Sequence, residues 1–191
     1  VGVRAGSFAV RGQLALTGGA RPGAVVVDGD RIAAVLLDPS PRELPPDTRD
    51  VAWVSPGLLD WQVNGAYGVD VVADAGALAV LSARLPEQGV TAYLPTIVSA
   101  VLPDYEQAAA RLAAHQASGA GGARALGLHL EGPFLAPARA GAHPVDAILA
   151  AESDASLFDR LLALRGVSLM TLAPERPGAL ERIRRLRAAG V

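Results

Sequence analysis

The chain has 191 residues, a formal net charge of -2 and 51% hydrophobic residues, which fits a folded domain with a real core and argues against disorder. It contains no cysteine, so disulfides and thiolate metal sites are excluded and a reducing compartment is permitted. No apolar run reaches the roughly 20 residues needed to span a membrane, the start lacks the order of a signal peptide, and no basic stripe marks a nucleic-acid surface.

The first residue is Val1 rather than Met, so the chain reads as trimmed or incomplete at its start. Residues 7–16 alternate apolar and polar side chains, as a half-buried strand does. Residues 24–27 and 32–36 are apolar runs flanking Asp28-Gly29-Asp30. Asp-Gly between two such runs signals a hairpin, because the turn needs positive φ. Residues 39–46 are rich in proline and read as a connector without helix potential.

From Val51 the rhythm changes. The spacing predicts strands over 51–63 (broken by Pro56-Gly57), 91–99, 125–130 and 167–172, alternating with helices over 76–88, 103–117, 153–164 and 177–189. Pro103 suits the start of its helix, and Ser153 is the expected N-cap of the third. Strand and helix in this alternation give four parallel βα units. Their near-continuous apolar strands fit a sheet covered on both faces. Arg182, Arg184, Arg185 and Arg187 read as the solvated face of the last helix rather than a binding patch.

In α/β folds, ligands bind beyond the carboxyl ends of the strands. At the first strand, Asp60, Gln62 and Asn64 share one face. That face fits a site and the wet side of an edge strand equally well. At the third, His129 and Glu131 share a face and Gly132-Pro133 ends the strand. A carboxylate there stands where a hard or borderline metal is held, although the pattern alone is more often a glutamate facing solvent. His129, one step deeper, reads as a core or metal-orienting histidine. His143 follows in a loop, where it could polarise a carbonyl or donate a proton. By itself it reads as an ordinary surface histidine. His115 is given no role, and Glu175 reads as a helix-start carboxylate.

Four segments in register resemble the strand motifs of N-acetylglucosamine-6-phosphate deacetylases. They are Val54-Ser55-Pro56-Gly57-Leu58-Leu59-Asp60-Trp61-Gln62-Val63-Asn64-Gly65, Gly89-Val90-Thr91-Ala92-Tyr93-Leu94-Pro95-Thr96, Leu126-Gly127-Leu128-His129-Leu130-Glu131-Gly132-Pro133-Phe134 with Gly141-Ala142-His143, and Thr171-Leu172-Ala173-Pro174-Glu175. The His-Leu-Glu-Gly-Pro block is the most specific of these, and the Asp-Gly hairpin resembles part of the small β-sandwich that many amidohydrolases carry.

The resemblance implies an α/β fold: an accessory β-sandwich segment over 1–50, then the first half of a (β/α)₈ TIM-type barrel over 51–191. It implies hydrolysis of the N-acetyl group of N-acetylglucosamine 6-phosphate to glucosamine 6-phosphate and acetate. Glu131 is then a ligand of one divalent metal ion, zinc by expectation, with iron or another divalent ion as alternatives. His143 is the catalytic group that orients or polarises the amide carbonyl, and Ala142, His143, Gln62 and Asn64 meet the substrate. Gln62 and Asn64 stand where related enzymes have a His-x-His pair; neutral amides are poor ligands beside imidazole, so a single metal is implied. The family's further ligands and its catalytic aspartate are expected beyond Val191, so the chain alone is expected to be inactive. The parent is expected to be cytoplasmic and a homodimer, with an amino-sugar phosphate as its small-molecule partner and neither nucleic acid nor membrane. The rivals are another amidohydrolase acting on a different amide, and a non-catalytic half-barrel that binds or assembles.

Overall fold

A computed structural model describes residues 6–191, which form two compact units divided between Pro56 and Gly57. The first unit is one four-stranded sheet in the order β3-β2-β1-β4. Its strands are β1 (Phe8–Leu16), β2 (Gly19–Asp28), β3 (Arg31–Leu37) and β4 (Thr48–Val54). The expected Asp-Gly hairpin is the β2–β3 turn, with Gly29 at φ 61° and Asp28 opposite Arg31. A second antiparallel pairing joins β1 to β2, and β4 returns parallel to β1. The unit therefore runs past the 50/51 boundary expected from the sequence, because 48–54 pairs with β1. The sandwich implied by the resemblance is represented by this single sheet. Ala9, Ala24, Val26 and Leu44 form its small core. The 39–46 connector does hold one helical turn, a 3₁₀ segment Pro41–Glu43. The Glu43 carboxylate accepts from both the backbone N–H and the hydroxyl of Ser40, at 2.8 and 2.7 Å, a reciprocal cap that the proline content masked.

The second unit is a parallel α/β arrangement. Strands β5 (Leu58–Val63), β8 (Val90–Ile97), β10 (Leu128–Glu131) and β11 (Val167–Thr171) are ordered β11-β10-β8-β5, all neighbours parallel. The short β9 (Arg124–Ala125) pairs with β8, and β6 (Gly65–Ala66) with β7 (Val69–Asp70) makes a separate small hairpin. Helices α1 (Ala77–Arg84), α2 (Leu102–Ala117), α3 (Val145–Ser153), α4 (Leu157–Leu162) and α5 (Ala179–Ala188) fill the connections. The sheet is open, with β5 and β11 at its two ends.

Burial explains this order. The interior strand β8 is almost continuously buried, whereas the end strand β5 leaves Leu58 and Trp61 about 60% exposed. Helix α2 buries Leu102, Tyr105, Ala108 and Leu112, one apolar stripe at helical spacing. Those residues join Leu81, Tyr93, Ile97, Leu128, Leu130 and Leu161 in the main core.

Two expected elements differ. The helix expected over 153–164 is the shorter α4, preceded by an unexpected helix α3, and Ser153 ends α3 instead of capping the next helix, its hydroxyl donating back to Leu149. The break falls at Asp154, whose carboxylate accepts from the N–H and hydroxyl of Ser156. The 125–130 strand is likewise split, because Leu126 turns its N–H to Tyr93 and leaves β10 to begin at Leu128. Of the terminal arginines, Arg182 lies 4.3 Å over the Phe134 ring and Arg185 lies 4.9 Å over Phe158 while pairing with Asp159. Among the described residues no helix is long and apolar enough to cross a membrane.

Candidate active site

Glu131 is the last residue of β10, and Gly132-Pro133 turns the chain away at once. The loop beyond contains a 3₁₀ turn, Pro137–Arg139, and His143 donates its N–H to the Ala140 carbonyl at 3.0 Å. This folds the loop back, so that His143 Nε2 lies 3.7 Å from Glu131 Oε1. The side chains are 10% and 22% exposed respectively, sheltered but open to a ligand. Twelve positions of separation thus become one site.

The other ring nitrogen of His143 is occupied. Its Nδ1 accepts the Ser99 backbone N–H at 3.1 Å and stands 2.9 Å from the Ser99 hydroxyl. Ser99 follows β8 by two residues and is 1% exposed. Gly132 makes room for it: the residue has φ 93°, and a Cβ there would collide with the Ser99 hydroxyl.

His129 is different in kind. It is 3% exposed and both ring nitrogens have partners. Nδ1 donates to the Trp61 carbonyl at 3.1 Å and lies 3.2 Å from the Thr96 hydroxyl, while Nε2 accepts from the Thr171 hydroxyl at 2.8 Å. One imidazole therefore ties together β5, β8, β10 and β11. Burial lowers its pKa, against smaller opposing effects of the Trp61 carbonyl and the Glu131 charge, which favours the neutral ring.

Pro95, opposite Val63, has no N–H, and the β5–β8 register slips between Asp60 and Val63. Val63 donates its N–H to the Thr96 hydroxyl, at 3.1 Å. The slip also breaks the face that Asp60, Gln62 and Asn64 were expected to share. Asp60 accepts from the Gln62 backbone at 3.1 Å, and Asn64 lies past the strand with its side-chain amide 3.4 Å from the Thr96 carbonyl. Gln62 and Ala142 are exposed and share no hydrogen bond with Glu131 or His143. Glu175 lies exposed in the turn before α5, and His115 bonds to Ser82 at 2.9 Å.

Sequence reasoning missed Ser99, Thr96 and Thr171. Each lies at or next to the carboxyl end of a parallel strand, so the rule that located Glu131 could have found them. As a metal site the residues are incomplete. Among the described residues no group of three or more histidine, aspartate or glutamate side chains is placed to hold an ion. Glu131 offers a carboxylate, but His143 already spends its Nδ1 lone pair on Ser99.

No protein-family model matches the chain. Among curated proteins it is 38% identical over 146 residues to the Homo sapiens N-acetylglucosamine-6-phosphate deacetylase, an overlap of 72% of this chain and 35% of the relative. It is equally similar, 38% over 146 residues, to an Escherichia coli N-acetylgalactosamine-6-phosphate deacetylase, covering 75% of this chain and 38% of that one. A solved Mycobacterium smegmatis N-acetyl-D-glucosamine-6-phosphate deacetylase, a substituted form in complex with N-acetyl-D-glucosamine-6-phosphate, matches 97% of this chain and 48% of its own, with 30% identity and a TM-score of 0.76. The chain thus spans little more than a third of the curated relatives it matches. By sequence over most of its length and by fold over nearly all of it, the chain is a homologue of the N-acetylglucosamine-6-phosphate deacetylases.

Proposed function

We propose that this chain is the segment of an N-acetylglucosamine-6-phosphate deacetylase that supplies the strand-end carboxylate and the imidazole facing it. The convergence of Glu131 and His143 at 3.7 Å carries the reading. An amide carbonyl entering between them would meet the His143 N–H. As a nucleophile adds to the carbonyl carbon, its oxygen gains negative charge, and a fixed N–H stabilises that charge more than the ground-state dipole. Gln62, Asn64 and Ala142 would then line the approach to the sugar. On this reading the four βα units are half of an eight-unit barrel and the first sheet belongs to an accessory sandwich.

Glu131 is also read as one ligand of a divalent ion, zinc or another such as iron, whose chemistry when bound is to lower the pKa of a water and polarise the carbonyl. The donors in this segment do not by themselves fit such an ion. The 191-residue chain alone is therefore expected to be inactive, and the deacetylase to be a longer cytoplasmic protein, a homodimer by family resemblance.

The test is acetate release by a protein of full relative length that carries this segment. N-acetylglucosamine 6-phosphate and its galactosamine counterpart are both offered, because relatives acting on each are equally similar. Turnover of at least one is expected, with Glu131→Gln and His143→Gln each lowering kcat by about 10²-fold or more. Failure to release acetate from either sugar overturns the reading.

A further inference from the structure

Both hydrogens that Ser99 can offer point at one atom. Its backbone N–H and its hydroxyl lie 3.1 and 2.9 Å from His143 Nδ1. A backbone N–H can only donate, so Nδ1 presents a lone pair, and in the neutral ring the proton belongs to Nε2. Nε2 is the nitrogen that faces Glu131 across 3.7 Å, a gap longer than a hydrogen bond.

Ser99 is itself firmly mounted. The fully buried Tyr105 hydroxyl accepts the Ala100 N–H at 3.1 Å and donates to the Val98 carbonyl at 3.4 Å, fixing the backbone on both sides of Ser99. Burial pushes the Tyr105 phenol far above its ordinary pKa, so it remains protonated. Gly132, lacking a Cβ, leaves the space that the Ser99 hydroxyl occupies.

We propose that Ser99 is a positioning residue that holds His143 in its Nε2–H tautomer, so that the ring offers a proton to the site rather than a lone pair to an ion. The use made of that proton, polarising an amide oxygen, rests on the deacetylase reading; the tautomer does not. On this assignment His143 cannot bind a metal through Nε2 while Ser99 holds its other nitrogen.

Nitrogen NMR of the imidazoles in the isotope-labelled 191-residue chain at alkaline pH tests this. The sequence has three histidines, so His143→Gln identifies the resonances. A pyridine-type Nδ1 and a pyrrole-type Nε2 are expected. Ser99→Ala should move Nδ1 downfield as it loses one donor, and Ser99→Thr should restore it. A pyrrole-type Nδ1, or an Nδ1 indifferent to Ser99→Ala, overturns the proposal. Should Ser99→Ala fail to fold, the tautomer in the unsubstituted chain and in Ser99→Thr still decides. In the longer protein, Ser99→Ala is expected to lower kcat roughly 10-fold with KM nearly constant, the scale for outer residues that orient a site histidine, with rescue by Ser99→Thr; an effect confined to KM counts against it. The expected spectra in a protein that releases no acetate would sink the deacetylase reading alone.

Discussion

The buried end of β10 and the loop that follows it each hold a histidine, and the two surroundings are opposite. His129 stands on a strand, 3% exposed, with both ring nitrogens committed to neighbouring strands. His143 stands on a loop, with one nitrogen committed to Ser99 and the other facing Glu131 across a gap. The first has nothing left to offer a ligand; the second has one N–H. In His129 the Trp61 carbonyl keeps the proton on Nδ1, whereas in His143 the Ser99 N–H is proposed to keep it on Nε2. What each histidine does is decided by the atoms around it, and residue type says little.

The widest gap between the two should appear in stability. His129→Leu keeps the volume but strands the Trp61 carbonyl and frees the Thr171 hydroxyl, so urea unfolding should show a loss of about 3 kcal/mol. His143→Leu should cost under about 1 kcal/mol, since the loop ring is not part of the core. Equal losses would break the comparison.

Gly132 lies between the regions, and Gly132→Ala acts on both. At φ 93° a Cβ is strained in itself and meets the Ser99 hydroxyl. About 2 kcal/mol of destabilisation is expected. The His143 resonances should shift while those of His129 stay in place, and a change confined to His129 would place the strain in the strand instead.

The smallest effect is in pH. The folded pKa of His129 lies below its ordinary unfolded value, chiefly through burial. The unfolded chain therefore binds more protons, and the stability from neutral His129 is present above about pH 6.5 and lost as pH falls through the folded pKa. Melting temperature should drop on acidification below that point, and His129→Gln should flatten the slope. An unchanged slope would mean that other groups set it.

Much of the second unit was legible in the sequence. Apolar runs, glycine and proline placed strands at 91–99 and 167–172 close to their observed positions, because periodicity and turn chemistry act over a few residues. The α2 helix was found almost to the residue, its Pro103 and buried stripe both being local signals. Helix α3 was not, since a serine is as good a helix end as a helix start until its hydroxyl partner is known.

Sequence alone determined that Glu131 closes a buried strand beside Gly132-Pro133 and that His143 lies in the loop after it. It also carried the resemblance to the deacetylases, on which the metal, the substrate and the roles of Gln62, Asn64 and Ala142 rest. Only the tertiary structure decided that Ser99 reaches His143 across 44 positions and that the Trp61 carbonyl reaches His129 across 68. It also decided that the β5 register slips between Asp60 and Val63, which breaks the face Asp60, Gln62 and Asn64 were expected to share. The physical reason is range. Strand and helix propensities are written within a few residues, whereas a ring nitrogen's partner is chosen by whichever distant strand or loop packing brings within about 3 Å.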